Sequence, residues 1–174
     1  QLHQRQHRDQ SQRMNWYDAV AEGYDELRGD EQRQKFAVFD DYINDDLHVL
    51  DVGFGTGLSD AYYDAEIVGV EPSQGMLNEY DGDAETYNVE AEAINELFEE
   101  SSFDAAICVS TAHHFDNAEQ AFHNIERVIR PGGHLFLSTF NKAWPACKPF
   151  LADYSIIKKE SVERDTVVVA HLST

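Results

Sequence analysis

The nine residues Val49-Leu50-Asp51-Val52-Gly53-Phe54-Gly55-Thr56-Gly57 constrain this chain more than any other segment. An apolar strand runs into an acidic residue and then into glycine at three alternate positions. Side chains at positions 53 and 55 would hold a ligand away from the backbone. A turn this tight calls for positive φ, which glycine adopts without steric cost. A helix opening just beyond it would leave backbone N–H groups directed at the same place. The spacing separates two ligand classes. A dinucleotide fingerprint reads G-x-G-x-x-G, whereas here glycine falls at the fifth place and Leu58 at the sixth.

Around this segment the hydrophobic period alternates. Short apolar runs at His48–Val52, 67–70, Phe103–Val109, 134–140 and 166–170 read as strands, with 88–93 a weaker candidate. Helical stretches lie between them. The clearest is 117–130, with Ala121, Phe122, Ile125, Val128 and Ile129 on one face, Asp116 as N-cap and Pro131-Gly132-Gly133 as its stop. Upstream, Trp16, Val20, Tyr24 and Leu27 form one amphipathic face. Phe36, Phe39 and Ile43 form another, and Gly29-Asp30 separates the two helices. Strands alternating with helices imply βαβ units, hence a doubly wound α/β fold with a mostly parallel sheet. The tail differs: 154–158 and 166–170 leave no room for a crossover helix and are expected to form a C-terminal antiparallel hairpin. Pro145 and Pro149 disfavour a long helix between strand five and that hairpin.

A second signal sits at the end of the next strand, in Val68-Gly69-Val70-Glu71-Pro72-Ser73. A carboxylate there can accept both hydroxyls of a ribose, because doubly wound sheets bind nucleosides beside their strand ends. A surface Glu capping a helix is the plainer alternative.

In D-V-G-F-G-T-G, V-G-V-E-P-S, S-F-D-A-A-I-C-V-S-T-A-H-H-F and I-E-R-V-I-R-P-G-G-H-L-F-L, the chain resembles a class I S-adenosylmethionine (SAM)-dependent methyltransferase with a Rossmann-like sheet. It is most similar to the ubiquinone/menaquinone-type group, methyltransferase type 11, over residues 17–172. The resemblance implies SAM as cofactor. It assigns Asp51, Gly53 and Gly55 to its methionine end, and Glu71 to its ribose. It assigns Pro72, Ser73 and Met76 to the flanks of the adenine, Glu92 and Ala93 to the adenine edge, and Ser110 and Thr111 to the donor site. The family's L-P-F segment is Asn95-Glu96-Leu97-Phe98 here, and Glu90 and Glu96 stand close enough to Glu92 to share its candidacy. Tyr17 and Tyr24 fall in the helix expected over the cofactor, with core packing as the rival role. His113 and His114 follow strand four, where the methyl would point. Either can be a general base, since histidine titrates near neutrality. Proximity alone can also drive methyl transfer.

Charge bounds the partners. Thirteen Lys and Arg stand against 33 Asp and Glu, a net of −20. That argues against duplex nucleic acid and against an anionic membrane surface. A neutral or cationic small-molecule substrate, or a high-salt setting, suits it, as does plain solubility by charge. Cys108 and Cys147 lack CxxC spacing, and no metal site is expected. His3 and His7 are not read as metal ligands. With no secretory h-region and no run of membrane-span length, a cytoplasmic protein is expected. Residues 1–13 read as a disordered arm, or as a non-native remnant ahead of Met14, and residues 14–174 as a single methyltransferase domain. Two other functions fit less of the sequence: a methyltransferase-like, non-catalytic partner or activator subunit, and an NAD-dependent oxidoreductase, whose fingerprint fails at Leu58.

Overall fold

The computed structural model describes residues 24–174, with side chains from residue 29 onward. Among these residues seven strands form one sheet in the order β3-β2-β1-β4-β5-β7-β6. In chain order the elements are α1 (Tyr24–Ala37), β1 (His48–Val52), α2 (Leu58–Tyr62), β2 (Glu66–Val70), α3 (Gln74–Asn78) and β3 (Glu85–Tyr87). Then come β4 (Phe103–Val109), α4 (Ala118–Val128), β5 (Ile129–Phe140), α5 (Trp144–Cys147), β6 (Tyr154–Val162) and β7 (Asp165–Leu172). Strands β1 to β5 pair in parallel, and β7 runs antiparallel to both β5 and β6. The doubly wound sheet and the C-terminal hairpin are therefore as expected. No helix among the described residues is long and apolar enough to cross a membrane.

Strand alternation builds two cores from one sheet. Leu50, Val52, Ala106, Leu135, Leu137 and Val168 face one side, where Phe122 and Ile125 of α4 cover them. Val49, Ile107, Phe136, Val167 and Val169 face the other, under Phe36, Phe39 and Ile43. Each fully buried Phe or Ile contributes about 1.5–3 kcal/mol, so these two layers fix the sheet against which the loops are set. Cys108 is fully buried in the first core.

Several boundaries differ from expectation. Gly29-Asp30 does not divide two helices, because α1 runs through both residues. An interior Gly weakens a helix by about 1 kcal/mol without ending it. Phe39 lies in the turn that follows α1, and Ile43 just beyond that turn. The third strand is Glu85–Tyr87 rather than 88–93. Asn88 leaves the ladder, and its Nδ2 donates to the carbonyls of Glu71 and Pro72 at 2.9 and 3.0 Å. Residues Ala91–Glu96 then form a 3₁₀ turn. The N-cap of α4 is Asn117, not Asp116: its side chain accepts from the Gln120 N–H at 3.1 Å. The segment after β5 holds only the single turn α5 and a 3₁₀ turn at Lys148–Leu151. The arm at 1–13, Trp16, Tyr17 and Val20 lie outside the described residues. Tyr24 opens α1, and its side chain and that of Leu27 lie outside the described ones.

Candidate active site

The sheet order reverses between β1 and β4, and a doubly wound sheet opens a crevice there, beyond its carboxyl strand ends. The glycine loop occupies that crevice. Gly53, Gly55 and Gly57 have φ of 84°, 60° and 90°, the left-handed region the sequence called for. The N–H groups of Gly53 and Phe54 donate to the Val70 carbonyl at 2.9 and 3.0 Å, folding the loop over the end of β2. Phe54 turns into the core and packs edge-on against Tyr80, with centroids 4.9 Å apart. The loop therefore faces the crevice with backbone.

Two carboxylates stand beneath it. Asp51 is buried and accepts from Ser59 Oγ at 2.5 Å. Burial, and then the nearby Glu71 charge, raise its pKa to about 7 despite that hydrogen bond. Glu71 accepts from the Gly55 N–H through Oε1 at 2.9 Å and from the Ser73 N–H through Oε2 at 2.8 Å. Ser73 in turn caps α3, accepting from the Met76 N–H at 3.2 Å.

Across the crevice, β4 is followed by Ser110, whose φ of 57° is left-handed although it carries a side chain. Its N–H donates to Ser138 Oγ at 2.8 Å, and its hydroxyl accepts from Lys35 Nζ at 2.8 Å. Thr111 follows, so close to Gly53 that a Cβ on the glycine would collide with it. His113 and His114 lie in a one-turn 3₁₀ segment with ring centroids 3.9 Å apart, and His113 lies 4.6 Å from the ring of Phe140.

One cleft brings together Asp51, Gly53, Gly55, Glu71, Pro72, Ser73, Met76, Ser110, Thr111, His113 and His114. Glu92 and Ala93 do not border it. Asn124 Nδ2 donates to the carbonyls of Ala91 and Glu92 at 3.1 and 2.9 Å and ties their 3₁₀ turn to α4. Glu92 instead stands with Glu90 and Asp116, their oxygens within 4.8 Å of one another. Burial first, and then those two charges, raise its pKa to about 7.

Sequence reasoning missed Gln32, Phe36, Phe140 and Asp165, which complete the cleft wall. It also missed Lys35, whose buried ammonium pairs with Asp165 Oδ2 at 2.8 Å. Glu31 and Lys35 have the spacing of an ordinary surface pair, so nothing local marked that lysine. β6 extends to Val162, and Asp165 opens β7 as a buried residue.

The sequence profile described as "Methyltransferase domain" matches residues 50–137, just over half of the chain. The chain belongs to the methyltransferase domain family. Among curated relatives it is 32% identical over 107 residues to the ubiquinone biosynthesis O-methyltransferase of Coxiella burnetii, covering 57% of this chain and 46% of that protein. This member thus spans about half the length of that relative. Its fold is that of class I Rossmann-like methyltransferases. A solved chain from the complex between the Haloferax volcanii Trm112 methyltransferase activator and a methyltransferase superposes with TM-score 0.75 at 12% identity, covering 91% of this chain and 98% of that one. Burkholderia thailandensis 1,6-didemethyltoxoflavin-N1-methyltransferase, solved with 1,6-didemethyltoxoflavin and S-adenosylhomocysteine bound, gives 0.69 at 18% identity, over 91% and 88% of the two chains.

Proposed function

We propose that this chain transfers the methyl group of S-adenosylmethionine to a small-molecule acceptor. The observation that carries the reading is the junction of Gly55 and Glu71. A carboxylate at the end of β2 is locked onto the bare backbone of the glycine loop, in a cleft that continues past both. The cleft residues suit the cofactor. Glu71 accepts the ribose hydroxyls, Pro72, Ser73 and Met76 flank the adenine, and Asp51, Gly53 and Gly55 receive the methionine end. Glu92 and Ala93 would reach the adenine edge only if their 3₁₀ turn moved toward the cleft. The lining carboxylates also match a ligand that bears both a sulfonium and an ammonium.

SAM supplies, when bound, a methyl group already activated on sulfur. What remains for the chain is alignment and exclusion of water. Ser110 and Thr111 border the donor end. For an acceptor whose proton has a high pKa, His113 and His114 are imidazoles on the cleft wall that can take it. The relative named an O-methyltransferase and the neighbour solved with its acceptor support a small acceptor and leave the attacked atom open. In this reading the domain spans residues 14–174. Its free thiols Cys108 and Cys147 fit a reducing cytoplasm.

A second reading, a partner subunit that binds SAM without turning it over, is favoured by Phe140, a 44% exposed ring on the cleft rim that a companion could cover. Calorimetric titration with SAM, followed by an S-adenosylhomocysteine release assay against fractionated small-molecule extract, separates the two. Binding with acceptor-dependent release supports the enzyme. Binding without release in any fraction supports the partner subunit, and absence of binding contradicts both.

A further inference from the structure

We propose that Lys35 is a positioning residue that locks the left-handed turn at Ser110 and so holds the donor side of the cleft ready for the cofactor. The inference rests on the reading of the cleft as a SAM site. Lys35 does not border the cleft itself. Its side chain is 1% exposed, and Nζ reaches Asp165 Oδ2 at 2.8 Å, Glu31 Oε1 at 3.2 Å and Ser110 Oγ at 2.8 Å. These contacts match the three donors of an ammonium.

Helix stability does not account for that burial. Desolvating both members of an ion pair takes back much of their attraction, and apolar side chains of similar volume are often as stable or more so. What the ammonium holds is a backbone in an unfavourable conformation. A non-glycine residue at φ 57° is strained by about 1–3 kcal/mol and persists only where its surroundings over-determine it. Ser110 is held from three elements: by Lys35 of α1, with Gln32 Oε1 of the same helix 3.4 Å from its hydroxyl, by Ser138 Oγ of β5 at 2.8 Å, and by Asp165 of β7, whose Oδ2 lies 3.5 Å from that hydroxyl. The next residue, Thr111, sits against Gly53, where the glycine loop is barest. A Ser110 turn released from Lys35 would carry Thr111 away from its seat on Gly53.

The test is a cycle of variants titrated with S-adenosylhomocysteine, each checked by thermal melting. K35M alone leaves Asp165 buried and uncompensated and can fail to fold. K35M/D165N removes both charges and keeps a hydrogen-bonding side chain on the cleft. The double variant is expected to melt within a few degrees of the parent and to bind the probe about tenfold more weakly, about 1.4 kcal/mol. S110A removes the hydroxyl that Lys35 holds, together with its longer contacts to Gln32 and Asp165. It is expected to weaken binding in the parent and to add no further loss in the K35M/D165N background, the non-additivity of residues acting through one another. Unchanged affinity in a folded K35M/D165N, or a fully additive loss from S110A, overturns the proposal. Should the double variant not fold, S110A in the parent decides, and unchanged affinity there overturns it. A parent without affinity for the probe overturns the functional reading as well, whereas a binding parent beside equally binding variants overturns only this one.

Discussion

On the β1–β2 side of the cleft the glycine loop is held by backbone donors close in sequence: the N–H groups of Gly53 and Phe54 on the Val70 carbonyl, and those of Gly55 and Ser73 on the Glu71 carboxylate, with Asp51 accepting from Ser59 beneath. On the β4–β7 side the contacts are made by side chains from distant parts of the chain, with Lys35, Ser110, Ser138 and Asp165 meeting in one buried network. The first arrangement is written into a stretch of nine residues and one carboxylate a strand away. The second exists only once α1, β4, β5 and β7 have packed. A cofactor grip made of backbone can stay constant while the side chains opposite it vary, which is how one fold serves many acceptors.

The comparison breaks first at Gly53. G53A forces a Cβ into Thr111 at φ 84°, adding about 1–2 kcal/mol of left-handed strain to the collision. Affinity for S-adenosylhomocysteine should fall more than about 100-fold by calorimetry, with a lower melting temperature. The opposite side is probed by H113A/H114A. With an acceptor that must lose a proton, kcat should drop about 100-fold, the usual scale of general-base loss. Affinity for S-adenosylhomocysteine should stay within about threefold. An unimpaired double variant would remove histidine from the chemistry. E71Q keeps the shape of the carboxylate and removes its charge. The loss of charge-assisted hydrogen bonds, about 2 kcal/mol, should weaken the same ligand about 30-fold.

The smallest effect sharpens the electrostatics. The pKa of Asp51 is raised to about 7, first by burial and then by Glu71. Its folded value lies above its unfolded one. The stability it contributes is therefore complete below about pH 4 and lost as pH rises through about 7. The melting temperature of the empty protein should accordingly fall between pH 5 and 8, and less so in D51N. A bound cation favours the ionised carboxylate, so SAM should release close to one proton per site at pH 6. The calorimetric enthalpy should then depend on the buffer at pH 6 and cease to do so at pH 8.

The same contrast explains what could be read from the chain. Strand β1, the glycine turn and Glu71 were legible because their signals are local: an apolar run, positive-φ glycines, and a carboxylate closing the next strand. Gly29 was misread because a single glycine is too weak a signal to end a helix embedded in tertiary contacts. The third strand was displaced because Asn88 bonds to the Glu71 and Pro72 carbonyls instead of continuing a ladder. That displacement carried Glu92 and Ala93 onto a turn fastened to α4. Lys35 and Asp165 were illegible for another reason. They are 130 positions apart, each sits in a stretch that reads as solvated charge, and only folding buries them against each other.

The most direct measurement is a calorimetric titration of the unmodified chain with S-adenosylhomocysteine, with NAD as the comparison ligand. A glycine loop and Glu71 that grip an amino-acid-bearing nucleoside predict saturable one-to-one binding of the first and none of the second. A flat titration with S-adenosylhomocysteine from a folded sample would contradict the assignment of this cleft.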